Sequence, residues 1–175
     1  MGTSASGTRA HRHLRRVVLG AGESVAGTVY GTIVVMGVIV AGADVARDAW
    51  RLAVIVGATV VVLWVAHVYA DAIGESIERA RRLDRAELSS VARRELAIPL
   101  AAVAPVAALA LGALGVVGTS AAVWLALAVG LGTLAVQGHR FARLERLGAL
   151  ATVASVGVNV SLGLTIVALK LVIAH

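Results

Sequence analysis

The 175-residue sequence has no cysteine, only two prolines, and few aromatic side chains (three Trp, two Tyr and one Phe). Without cysteine there are no disulfides, thiolate metal sites, iron–sulfur ligands or cysteine nucleophiles. Charge is also scarce. Asp, Glu, Lys and Arg make up 15% of the chain, against about 25% in an average soluble domain. Hydrophobic residues reach 59% and the mean hydropathy is +0.89, which leaves too little polar surface to cover a water-soluble core. The composition specifies an all-α membrane protein.

The signatures of several enzyme classes are missing as well. There is no phosphate-binding glycine loop followed by Lys-Ser/Thr, no His-Glu-x-x-His helix and no Gly-x-Ser-x-Gly elbow. His67 is the only histidine well inside an apolar run, so bis-His haem ligation has no second ligand at matching depth. A hydrolase built on Ser24 would need a base, and the adjacent Glu23 points to another helix face. The expectation is a protein that is not an enzyme and has no resident cofactor.

What the chain does have is long apolar runs. A spanning helix needs about 20 mostly apolar residues, and five stretches qualify: Val17 to Val40, Leu52 to Ile73, Leu96 to Val117, Thr119 to Gly138 and Leu147 to Ile173. The domain organisation follows: a basic N-terminus over 1–16, then a five-helix transmembrane domain over 17–175, with a short charged cytoplasmic connection at 75–95. That connection reads as a helix continuing the second span, since Glu75–Arg79 and Glu78–Arg82 are spaced i, i+4 with Glu first. A tight turn at Gly118 and the Arg140 to Arg146 loop complete the connections.

Basic loops stay in the cytoplasm. Thirteen of the 16 Lys and Arg residues fall on one side, in the N-terminus, the 75–95 connection and the Arg140–Arg146 loop. Arg47, Arg51 and Lys170 fall on the other. This asymmetry places the N-terminus inside and the C-terminus outside, and it explains the net charge of +6 by topology, with no nucleic-acid partner. Arg15-Arg16 before a run ending Ala41-Gly42-Ala43 imitates a twin-arginine signal. The length of that run, Glu23 within it, and the Gly27/Gly31 pair favour a retained first span. Because all but one of the basic residues are Arg, amid abundant Ala, Val, Gly and Leu, a bacterial cell membrane is the expected location.

Lipid gives helices no hydrophobic reason to associate, so small residues that admit close backbone approach supply the packing. Gly27 and Gly31 form such a face on the first span, Ala104, Ala108 and Gly112 on the third, and Ala122, Ala126 and Gly130 on the fourth. Pro99 and Pro105 predict a kink in the third span. Tyr30, Tyr69 and Trp124 read as packing or anchoring residues, Asn159 as an amide bonded to a neighbouring helix, Gln137 and His139 as interfacial, and Lys170 as a snorkelling side chain.

Ionisable groups in the spans reduce to Glu23, His67 and Asp71, with Glu75 at the inner edge. Such groups are costly in hydrocarbon, face the bundle interior and mark ion paths. His67, Asp71 and Glu75 share one side of the second helix, and Glu23 and His67 both lie about 10 Å inside the cytoplasmic boundary at 1.5 Å per residue. An imidazole with three carboxylates suits Mn²⁺, Fe²⁺ or Zn²⁺ as a transported ion, and equally suits proton relay.

Two segments carry a resemblance. Leu14-Arg15-Arg16-Val17-Val18-Leu19-Gly20-Ala21-Gly22-Glu23-Ser24-Val25-Ala26-Gly27-Thr28 resembles the first-span signature of the vacuolar iron transporter family, with Glu23 at that family's acidic position. Ala70-Asp71-Ala72-Ile73-Gly74-Glu75-Ser76 resembles its Met-Ala-x-Gly-Glu motif at the end of the second span, with Asp71 in place of the methionine. The resemblance implies a homodimer that carries Fe²⁺ or Mn²⁺ out of the cytoplasm in exchange for protons, along a path between the subunits' first helices. It departs from the family in lacking the long acidic domain between spans two and three, and in offering a hard carboxylate where the family has a soft thioether. Two other readings stand beside it. One is a non-transporting membrane subunit or scaffold whose polar residues join helices; the other is a proton or monovalent cation path.

Overall fold

A computed structural model describes the backbone of residues 5–43, 46 and 48–173, and the side chains of residues 24–43, 46 and 48–172. Six helices follow one another: α1 (Ala5–Gly42), α2 (Ala49–Glu78), α3 (Arg85–Arg94), α4 (Ala97–Ala113), α5 (Thr119–Leu144) and α6 (Ala149–Ile173). No strand occurs among the described residues. Four of the helices are long and apolar enough to cross a membrane, and α3 with α4, bent by 46° at their junction, makes a fifth candidate.

The five apolar runs become α1, α2, α4, α5 and α6, with α1 reaching back through the basic start as one helix of 38 residues. The charged connection differs from expectation. It does not continue α2, which ends at Glu78, but folds back as the separate helix α3. Two local causes are visible. Ala80 adopts a left-handed φ of 50°, with Ala80 N–H donating to Ile77 O and Arg81 N–H to Ser76 O, which closes α2. Asp84 then starts α3 with a capping box, accepting from Glu87 N–H while the Glu87 side chain accepts from Asp84 N–H. Arg82 therefore lies beyond the end of α2, and it forms no ion pair with Glu78.

The short α4–α5 connection contains Gly118 as the extended N-cap of α5, with positive φ at Gly115 (φ 72°). One smaller expectation is corrected. The marked bend associated with the third span falls at the α3–α4 junction, and α4 runs unbroken through Pro105.

α1 is the hub, touching α2, α3, α4, α5 and α6. Its core side chains Val35, Met36, Ile39 and Val40 meet Leu52 and Val56 of α2, Ile98 and Leu109 of α4, and Leu127 and Leu134 of α5. Small residues make this contact possible. A Cβ on Gly31 would lie 2.7 Å from Ile98 O and 3.1 Å from Ala101 Cβ, and one on Gly27 would lie 3.0 Å from Ala97 Cβ. The expected small faces hold on α1 and on α5, where Ala122, Ala126 and Gly130 are all buried, with Met36 lying over Gly130. On α4 the face is shifted: Ala104 is exposed, whereas Ala101, Pro105 and Ala108 are buried, and Gly112 meets Ala49 and Ala122.

Candidate functional site

α1 and α2 lie antiparallel, and two contacts set their register. A Cβ on Gly42 would lie 2.7 Å from a Leu52 methyl at one end. Further along, the rings of Tyr30 and His67 pack with centroids 5.1 Å apart. The partner of His67 on α1 is Tyr30. The Glu23 side chain lies outside the described residues.

His67 Nδ1 is 3.0 Å from Leu63 O, one turn back on α2. A carbonyl only accepts, so the neutral ring carries its proton on Nδ1 and keeps the Nε2 lone pair for another partner. Asp71 follows one turn later. Asp71 and Glu95, from α2 and from the end of α3, line the same cleft. Glu95 caps the C-terminus of α3, immediately before the bend into α4. Asp71, Glu75, Glu78, Arg94 and Glu95 line one cleft of about 430 Å³.

An ion-pair network holds α3 against α2. Glu75 accepts from Arg79 at 2.9 Å and also from Arg94, while Glu87 accepts from Arg79 at 2.5 Å and Arg81 at 2.6 Å. The Trp64 indole N–H donates to Ala92 O at 3.2 Å, satisfying a carbonyl in the last turn of α3. Hydrogen bonds from Arg81 and the Asp84 backbone hold the Glu87 carboxyl down to about 2.

Of the residues singled out in the sequence, His67 and Asp71 therefore come together, and Glu75 lines the same cleft as Asp71 but is engaged by two arginines. Among the described residues no group of three or more His, Asp or Glu side chains is arranged to hold a metal ion. Sequence reasoning missed Glu95, and it read Tyr30 as a packing residue without a signal for its partner His67. Glu95 had a signal: a carboxylate directly abutting the third apolar run is as unusual as one inside it. Tyr30 had none, because ring packing across two helices depends on their register.

Elsewhere, the interhelical hydrogen bond runs from Ser155 Oγ to Gly138 O at 3.0 Å, whereas Asn159 Nδ2 donates to Ser155 O of its own helix. Lys170, expected to reach outward, is 9% exposed. A groove of about 800 Å³ opens between α1, α5 and α6, lined by Val29, Tyr30, Ile33, Phe141, Val158 and Asn159 among others. No family model matches the chain, and no curated protein or solved structure matches it either.

Proposed function

We propose that this chain is a multi-pass cell-membrane transporter that moves a divalent cation such as Fe²⁺ or Mn²⁺ out of the cytoplasm in exchange for protons. It works as a homodimer with five spans, the third of them Leu96 to Val117 with α4 as its main part, with α3 in the cytoplasmic connection and with its N-terminus inside. The observation that carries this reading is the cleft at the bend that Asp71, Glu75, Glu78 and Glu95 line together. The carboxyl oxygens of this cleft are open to either a proton or a cation, and a cation that binds them displaces any proton held there. Exchange then follows from competition for the same oxygens.

Each side chain has a place in that competition. Glu75 and Glu78 lie on the approach to Asp71 within the shared cleft. His67 offers Nε2 as a borderline-soft ligand or as a proton acceptor. Glu23, on α1, is the remaining acidic contributor, in keeping with the resemblance of the first span to the iron transporter signature. Arg94 neutralises Glu75 while no cation is bound and releases it when one arrives.

The test is flux in proteoliposomes across an imposed pH gradient, with Fe²⁺, Mn²⁺ and Zn²⁺ each supplied in turn. Proton-coupled metal flux in the wild type, lost in Glu23→Gln and in Asp71→Asn, is expected; undiminished flux in both variants removes the site assignment. A second reading, a proton or monovalent cation path, is favoured by the lack of a three-ligand metal group among the described residues. It requires proton flux that is indifferent to added metal. No flux from a folded dimeric preparation points instead to a structural subunit.

A further inference from the structure

The C-terminal end of α2 has two chemically different sides. At 3.6 residues per turn, His67, Asp71, Glu75 and Glu78 fall on one side, and Tyr69, Ala72, Ile73 and Ser76 fall on the opposite one. Each side lines its own cleft. The carboxylates Asp71, Glu75 and Glu78 line the acidic cleft with Glu95. Tyr69, Ile73 and Ser76 line another, of about 320 Å³, which Arg82 and Leu83 of the following turn and Leu88 of α3 close off.

The charged side chain that lines this second cleft is Arg82. Glu75 is taken up by Arg79 and Arg94, and Glu87 by Arg79 and Arg81. Glu78 lines the other cleft. Arg82 is exposed, and its guanidinium has no ion pair or side-chain hydrogen bond among the described residues. The wall beside it is apolar and open, with Tyr69 68%, Ile73 42% and Leu88 44% exposed. An arginine at the end of an apolar helix, set above an aromatic and two aliphatic side chains, matches the headgroup boundary of a bilayer in both charge and polarity.

We infer that this cleft binds one anionic phospholipid of the surrounding leaflet, with its phosphate at Arg82 and an acyl chain along Tyr69, Ile73 and Leu88. Charge complementarity selects the lipid class. The phosphate of a zwitterionic lipid is offset by its own ammonium group, whereas an anionic headgroup leaves a net negative charge for Arg82. The site needs only the membrane insertion of α2 and is independent of what the protein transports.

Native mass spectrometry of the detergent-purified chain, with dioleoylphosphatidylglycerol and dioleoylphosphatidylcholine as competing probes, tests it. The expected result is one phosphatidylglycerol retained per chain in preference to phosphatidylcholine. Retention should fall about fivefold in Arg82→Gln, the factor that roughly 1 kcal/mol per basic residue represents, and should fall also in Tyr69→Ala. Arg82→Lys keeps the charge and most of the lipid, which separates loss of charge from misfolding. Arg85→Gln removes an exposed arginine outside the cleft and leaves retention unchanged. Equal retention of the two lipids, equal losses in Arg82→Gln and Arg85→Gln, or a loss in Arg82→Lys as large as in Arg82→Gln each overturns the assignment.

Discussion

Tyr30 of α1 packs its ring on that of His67 of α2, with centroids 5.1 Å apart and planes inclined at 47°. The imidazole is thus held twice, by this ring and by the Leu63 carbonyl, so its Nε2 has a defined direction. Ring pairs of this kind contribute about 0.5–1.5 kcal/mol beyond their buried area. Tyr30→Leu should lower stability in detergent by that amount, while Tyr30→Phe, which keeps the ring, stays close to wild type. Thermal unfolding of the two variants side by side checks this, and equal losses would mean the ring contact contributes nothing of its own.

Close approach of α1 to α4 rests on Gly31. An added Cβ there would come within 2.7 Å of Ile98 O and 3.1 Å of Ile98 Cα, backbone atoms that cannot swing aside. Gly31→Ala should therefore cost about 1–3 kcal/mol through forced separation of the helices. Gly37, on the same helix, has nothing within 4 Å of its added Cβ. Gly37→Ala should be neutral or stabilising by about 0.5–1 kcal/mol, because glycine is a poor helix former. Melting temperatures moving in the same direction for both variants would contradict the packing described above.

Folding of the connection should depend on pH through Glu87. Its carboxyl is lowered from 4.5 to about 2 in the folded chain, chiefly by the hydrogen bond from Arg81 and then by that from the Asp84 backbone. The stability contributed is thus fully present above 4.5 and is lost as pH falls from 4.5 through about 2. Glu87→Gln retains a capping-box acceptor at the same position but not the charge. The difference in melting temperature between wild type and Glu87→Gln should shrink steadily across that window and be constant from pH 5 to 7. A difference that does not change with pH would show that the network contributes no charge-dependent stability.

The long apolar helices were legible in the sequence because hydrocarbon imposes one simple demand, about 20 apolar residues in a helix, which Leu52 to Ile73 and Thr119 to Gly138 meet without any tertiary information. His67 and Asp71 were legible for the same reason, as exceptions to it. The fold-back of α3 was not. The i, i+4 pair Glu75–Arg79 forms, yet Glu75 also binds Arg94, a residue nineteen positions away, and Arg79 also binds Glu87. Local spacing predicted a continuous helix, and long-range ion pairs together with the Asp84–Glu87 capping box favoured a turn. Asn159 misled in the opposite sense: its amide found a carbonyl one turn away, and the smaller Ser155 made the interhelical bond because Gly138 lets the two backbones approach.

Asp71 and Glu95 come from helices that meet only after α3 folds back, so their coupling is the most direct test of the site. If the two carboxyls act together, replacing either by its amide leaves an amide–carboxylate pair with the net charge of a singly protonated carboxyl pair, and only replacing both removes that charge. Stabilities of Asp71→Asn, Glu95→Gln and the double variant at pH 7 should then be non-additive, with a coupling of about 0.5–3 kcal/mol. Proton-coupled flux should be lost already in each single variant, because an amide cannot release a proton to an arriving cation. Glu78→Gln, an exposed residue of the same cleft, should keep the flux with at most a weaker apparent affinity. Additive stabilities, or flux that survives in Glu95→Gln, would separate Glu95 from Asp71 and leave the bend between α3 and α4 a purely structural feature.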